Sequence, residues 1–101
     1  METSELKNIL VDLDEMVVTI DKIGSGFEDK ETTALALLLF FRKREILDKL
    51  AEARKLLDHH LSEAIGAKEY YKWVETDMTY WKPPYGKNKN EIAALLDSLD
   101  N

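Results

Sequence analysis

No glycine or proline interrupts residues 30–65, and this uninterrupted stretch constrains the fold more than any other feature of the sequence. A single straight helix over these 36 residues would be about 54 Å long, roughly twice the width of a compact domain of this size. The stretch is therefore either a helix that bends, near the basic cluster at residues 42–44, or a stem that projects beyond its own subunit.

A second amphipathic helix precedes this stretch. Apolar residues recur at spacings of three and four from Leu6 to Ile23, with charged residues at most other positions. Thr3 or Ser4 is placed to cap the start of this helix, and Gly24 is placed to end it in the left-handed conformation.

The remaining boundaries follow from caps and breakers. Asp29 is the predicted N-cap of the long stretch. Residues 67–81 are predicted to form a helix from the spacing of their aromatic and apolar side chains, although the residue types also suit a strand. After the Pro83-Pro84 loop, Asn88 or Asn90 is placed to cap a short last helix.

We therefore predict an all-α protein in which residues 1–101 form a single domain. Its architecture is a small helical bundle around one long, straight or bent, central helix. An antiparallel N-terminal helix and two short C-terminal helices complete it.

The apolar run at residues 34–41 has no polar face. A helix that is apolar on every side must be covered on every side. A homodimer or higher homo-oligomer would do this, with the long helices side by side in a four-helix core. The expected interface residues are Leu35, Leu37, Leu38, Leu39, Phe40 and Phe41. The alternatives are a crowded monomer and a site for a helix of another protein.

Composition excludes several classes of protein. The chain has no cysteine, so it has neither disulfides nor thiolate metal sites, and the cytoplasm is the expected compartment. The longest apolar run, eight residues, is too short for a transmembrane helix, and the first residues do not resemble a signal peptide. With a net charge of -6, the protein is not expected to bind nucleic acid, and the short apolar run gives no expectation of a membrane partner.

The charge is unevenly distributed. Residues 1–26 carry two basic and six acidic side chains, whereas residues 42–58 carry six basic and four acidic ones. We expect the basic part of the long helix to lie against the acidic first helix or its symmetry mate. A DNA-binding regulator is the alternative. It would use Arg42, Lys43, Arg44, Lys49, Arg54 and Lys55, but the acidic residues between them weigh against contact with phosphates.

His59, His60 and Glu63 form the only cluster with metal-ligand character. His59 and Glu63 are one helical turn apart, whereas His60 points about 100° away. We interpret the histidines as helix-surface residues, with a metal-binding helical bundle as the alternative. We expect no cofactor, and no enzyme, because no nucleophile lies in a catalytic context.

Aromatic residues crowd into residues 70–85. We expect Tyr70, Trp73 and Trp81 to close the end of the bundle, which leaves Tyr71, Tyr80 and Tyr85 for a partner surface. A second partner surface is predicted on the acidic first helix, at Asp12, Asp14, Glu15 and Asp21, which could compete with nucleic acid for a basic groove. The predicted function is a regulatory or adaptor protein, such as an inhibitor-, antitoxin- or immunity-like factor, that binds an unidentified larger protein.

Overall fold

The computed structural model describes residues 2–99 of the chain. Over this range the protein consists of five α-helices without any strand, which confirms the all-α prediction. The helices are α1 (Thr3–Gly26), α2 (Lys30–Lys43), α3 (Ile46–Ile65), α4 (Ala67–Asp77) and α5 (Lys89–Ser98).

The long stretch is broken into α2 and α3 at Arg44 and Glu45. Glu45 adopts the left-handed conformation, with φ 51° and ψ 49°, and the Arg44 backbone N–H donates to the Phe40 carbonyl at 3.0 Å. The bend predicted near residues 42–44 is confirmed, and the straight stem is wrong. A left-handed non-glycine residue costs about 1–2 kcal/mol. The packing of Ile46, directly after the turn, offsets this cost.

The core lies where α1, α2 and α3 contact one another. Met16, Phe40 and Ile46, one from each helix, form a buried cluster, and Leu13 and Ile23 pack against it. None of the described side chains is completely enclosed, so this core is thin.

Two of the predicted N-caps are confirmed. The Asp29 carboxylate accepts a hydrogen bond from the Thr32 backbone N–H at 2.9 Å. Asn88 forms a capping box with Glu91, in which each side chain accepts from the other residue's backbone N–H. These contacts satisfy backbone donors that a helix start leaves unpaired.

The predicted ends of the first helix are wrong. Its N-cap is Glu2, with no side-chain cap hydrogen bond, so Thr3 and Ser4 are already helical. Gly24 is not left-handed, and α1 continues to Gly26 because nothing at Gly24 forces the backbone to leave the helix.

The aromatic helix is shorter than residues 67–81, because α4 ends at Asp77. Two prolines lie ahead, and the ring of Pro83 in a continued helix would clash with the Thr79 carbonyl. A turn follows, in which the Lys87 N–H donates to the Pro84 carbonyl at 3.3 Å and Gly86 has φ 83°. Glycine suits that position because it tolerates a positive φ.

The chain divides into two compact units, the first ending at Tyr71 and the second beginning at Lys72. The first unit contains α1, α2 and α3, and the second contains α5. The single-domain organisation expected from the length stays a prediction.

Ile46 and Leu47 are neighbours in sequence that differ in burial, with 3% and 78% of their surfaces exposed. We expect Ile46→Ala to lower the free energy of unfolding by about 2–4 kcal/mol, because it leaves a cavity beside Met16 and Phe40. Leu47→Ala removes a similar volume from the surface and is expected to change it by less than about 0.5 kcal/mol. Urea unfolding followed by circular dichroism measures both, and equal effects would contradict the assigned core.

The left-handed turn predicts a stabilising substitution. Glu45→Gly is expected to raise the free energy of unfolding by up to about 1 kcal/mol, because glycine adopts a positive φ without steric cost. Glu45→Val is expected to lower it by about 1–2 kcal/mol, since a β-branched residue fits this conformation poorly. Glu52→Gly, inside α3, is the control and should cost about 1 kcal/mol. Thermal melts of the three variants measure these changes in stability. Equal destabilisation by Glu45→Gly and Glu52→Gly would contradict the left-handed conformation of Glu45.

Candidate functional site

The acidic residues of α1 divide into two groups. Glu15 is bound within its own chain: its carboxylate accepts from the Arg44 guanidinium at 3.0 Å and from the Lys49 ammonium at 3.2 Å. Asp14 and Asp21 are exposed, whereas Asp12 is half-buried. Of the four acidic residues predicted to bind a partner, Glu15 therefore has a structural role within its own chain.

These ion pairs bring the acidic helix and the basic segment together within one chain. Arg44 and Lys49 come from either side of the turn and converge on Glu15. The two hydrogen bonds, from Arg44 first and then Lys49, lower the pKa of Glu15 below its ordinary range. The same contact raises the pKa of Arg44. This arrangement agrees with the expected pairing of the basic segment with the acidic helix.

The rest of the predicted basic segment does not form a uniformly basic surface. An open depression on α3 is lined by Arg54 and Lys55, together with the acids Asp48, Glu52 and Asp58. Carboxylates at this spacing would lie beside any phosphate that the basic residues bound. DNA binding through Arg42, Lys43 and these residues stays an untested alternative, without structural support.

The histidine cluster is reduced to one exposed pair. The His59 Nε2 lies 3.2 Å from a Glu63 carboxylate oxygen, one turn along α3. Within residues 2–99, no three His, Asp or Glu side chains are grouped closely enough to hold a metal ion. His60 is exposed and does not complete such a group. Metal binding by His59, His60 and Glu63 stays an untested alternative.

Beside the histidines, the helix junction at Gly66 forms a shallow depression lined by Asp58, His59, Tyr70 and Tyr71, with a volume of about 240 Å³. Burial, followed by a hydrogen bond with the Asp58 carboxylate, raises the pKa of Tyr70. Tyr71 packs edge to face against Tyr70, with ring centroids 5.8 Å apart, and is otherwise exposed. Tyr70 is thus the structural member of this pair.

The most exposed aromatic side chains lie between α4 and α5. We call residues 78–87 the aromatic segment. Tyr80, Trp81 and Tyr85 have 86%, 80% and 79% of their surfaces exposed. Tyr80 and Tyr85 were predicted for a partner surface, and their exposure fits that prediction. The expectation that Trp81 continues the helical face of Tyr70 and Trp73 is wrong, because α4 ends four residues before it.

The residues predicted for an oligomer interface are split by the fold. Leu35, Leu38, Leu39 and Phe41 are exposed on α2, and Leu37 is half-buried. Phe40 belongs instead to the core of its own chain. An interface along α2 stays a prediction. Phe40 has little surface left to contribute to it, because its side chain is buried in its own chain.

Sequence reasoning missed an apolar groove in the first unit. It has a volume of about 510 Å³ and a lining that is almost entirely apolar. The lining residues are Leu13, Met16, Val17, Ile20, Asp21, Phe41, Ile46 and Leu50, and we call this feature the groove. The apolar spacing of α1 shows one of its walls in the sequence, but the opposite wall forms only because the turn at Glu45 brings Phe41 and Leu50 together.

A scan of protein-family models, a search of curated proteins and a search of solved structures each found no match to the chain. None of the described helices is both long and apolar enough to cross a membrane.

The Glu15 ion pairs predict a specific pH dependence. Since the folded-state pKa of Glu15 is lowered, its contribution to stability is complete above the ordinary carboxyl pKa of about 4.3 and is lost as the pH falls through the lowered value. We expect Glu15→Gln to be less stable than the wild type at pH 7, and the difference to shrink steadily below about pH 4.

Denaturant unfolding from pH 7 to pH 2 measures this difference. Glu75→Gln, on the exposed surface of α4, is the control and should match the wild type throughout. A Glu15→Gln deficit that persists unchanged at pH 2 would show that the ion pairs are not its cause.

Proposed function

We propose that this chain is a homodimeric regulatory or adaptor protein that acts by binding a larger protein. The observation that carries the proposal is the aromatic segment, where Tyr80, Trp81 and Tyr85 project into solvent around Pro83-Pro84. Exposed clusters of tyrosine and tryptophan are typical of binding hot spots, whereas an isolated exposed apolar residue is ordinary.

The prolines make this segment suited to binding. Each fixes its own φ near -65° and restricts the residue before it, and the turn at Gly86 adds a backbone hydrogen bond. An extended peptide that is already ordered loses less conformational entropy on binding than a flexible loop. Tyr80, Trp81 and Tyr85 are therefore presented to a target at a reduced entropic cost.

The charges of the segment indicate the chemistry of its target. Lys82 and Lys87 lie within this segment, residues 78–87, which contains no aspartate or glutamate. An apolar groove with an acidic rim would receive the aromatic side chains in the groove and the lysines at its edge. The aromatic segment and the acidic surface predicted on α1 therefore suit different targets, since the acidic surface would suit a basic one.

The cytoplasm, as the compartment expected from the sequence, is part of this proposal. Inhibitor-, antitoxin- and immunity-like factors and adaptors all fit a protein that works by covering a surface of its target, and the choice among them depends on the target.

Affinity capture from the native cell, followed by titration of the captured protein, tests the proposal. The combined variant Tyr80→Ala, Trp81→Ala and Tyr85→Ala should bind the target at least about 100-fold more weakly than the wild type, because hot-spot aromatics contribute most of the binding energy. Phe27→Ala is the control, since it removes an exposed aromatic side chain that lies outside the aromatic segment and outside every predicted partner surface. Equal capture by the wild type and the combined variant would contradict the proposal.

A further inference from the structure

The chain exposes more surface than its mass predicts. Its accessible surface is 8702 Å², whereas a compact monomer of 11.7 kDa exposes about 5,900 Å². Even two separate compact bodies of about 8 and 3.5 kDa would together expose about 7,000 Å². The excess of at least about 1,700 Å² does not depend on how the two units are placed. It is shared between the first unit and the second, which contains one complete helix and has no buried residue among those described.

Part of this excess is the groove, which opens onto the core. Met16 and Ile46 form its floor and belong to the buried cluster. Val17, Phe41 and Leu50 form exposed walls. Three packed helices with an apolar groove between them resemble a four-helix bundle that lacks one helix.

One wall of the groove belongs to a longer apolar stripe on α1. The stripe consists of Leu6, Leu10, Leu13, Val17 and Ile20, and its members follow each other at alternate steps of four and three residues. This is the heptad spacing of a coiled-coil seam. Four of the five are exposed and Leu13 is half-buried against the core cluster, so α2 and α3 leave most of the seam uncovered.

We propose that a second copy of this chain covers the groove, with the two α1 helices packed antiparallel across a twofold axis. This inference rests on the homodimer in the proposed function, but not on the aromatic segment. Because a twofold interface joins a surface to itself, the stripe of one copy meets the same stripe of the other. In the aligned register, Leu10 faces Ile20 of the second copy, and Leu13 faces Val17.

The charges beside the stripe favour this orientation. Lys7, Asp14 and Asp21 each follow a stripe residue directly and are exposed on the same flank. In the antiparallel pair, Lys7 of one copy meets Asp21 of the other, twice by symmetry. These two attractive pairs outnumber the one repulsive contact, between Asp14 and its own copy. A parallel pair would instead place Asp14 and Asp21 beside Ile9 and Met16, which are buried and uncharged.

The first test is the mass in solution. Light scattering after gel filtration should give a mass near twice 11.7 kDa for the wild type. Val17→Glu should weaken the dimer by about 100-fold or more, because it places a charge in the seam. Val11→Glu is the matched control, since Val11 is as exposed on α1 (66% against 67% for Val17) but lies off the stripe. Circular dichroism should give equal helix content for both variants.

Charge reversal tests the orientation. Lys7→Glu should weaken the dimer by about tenfold, since it turns two attractive pairs into repulsive ones. Asp21→Lys should do the same, and the double variant Lys7→Glu with Asp21→Lys should recover wild-type affinity. Sedimentation equilibrium measures all three, and a double variant that is weaker than either single variant would overturn the antiparallel register.

Cross-linking tests the location, because the chain has no natural cysteine. In the proposed register Asp14 meets its own copy at the twofold axis. Asp14→Cys should therefore cross-link rapidly with a short bismaleimide, and it also removes a repulsion between like charges. Val11→Cys should not cross-link, and Leu39→Cys reports on the interface predicted along α2.

The outcomes separate the two proposals. A monomer at every concentration would overturn both the homodimer and this interface. A dimer that cross-links through Leu39→Cys but not Asp14→Cys would keep the homodimer and overturn the α1 interface. Target capture by the combined variant Tyr80→Ala, Trp81→Ala and Tyr85→Ala tests the aromatic segment separately. Its result has no bearing on the dimer interface.

Discussion

The left-handed turn at Glu45 is the constraint on which the rest of the first unit depends. It places Phe40 and Ile46, which lie on opposite sides of the break, against Met16 of α1. It also places Arg44 and Lys49 so that both reach Glu15. In a straight helix over residues 30–65, the apolar pair Phe40 and Ile46 and the basic pair Arg44 and Lys49 would not converge on α1. The cost of an unfavourable backbone conformation is thus offset by a shared apolar cluster and by ion pairs across the bend.

The same turn explains why the core is thin and its surroundings are apolar. Three helices of 14 to 24 residues meet around a few buried side chains, and the walls of the groove face outward. Exposed apolar surface on this scale costs free energy in water, at roughly 25 cal/mol per Å². Association removes that cost for a chain whose size limits how much it can bury alone. The homodimer that we propose would therefore compensate for the small core.

The aromatic segment illustrates a different use of exposed surface. Its prolines end α4 early and order the following residues, so Trp81 lies outside any helix. Residue type and helical spacing together predicted a partner surface at Tyr71, Tyr80 and Tyr85, and they assigned Trp81 to the end of the bundle. Periodicity misled there, because spacing describes a helical face only as far as the helix continues.

Local signals in the sequence determined the helical class, the caps at Asp29 and Asn88, and the neighbourhood of the bend. These features depend on residues within a few positions of each other, through hydrogen bonds to the first turn or the lack of glycine and proline. Tertiary structure alone decided that Glu15 is held by Arg44 and Lys49, that Phe40 is buried while Leu39 is exposed, and that Phe41 and Leu50 face Val17 across a groove. Each of these depends on the direction that α3 takes after the turn. A run of apolar residues on every face of a helix does not indicate which face its own chain will cover.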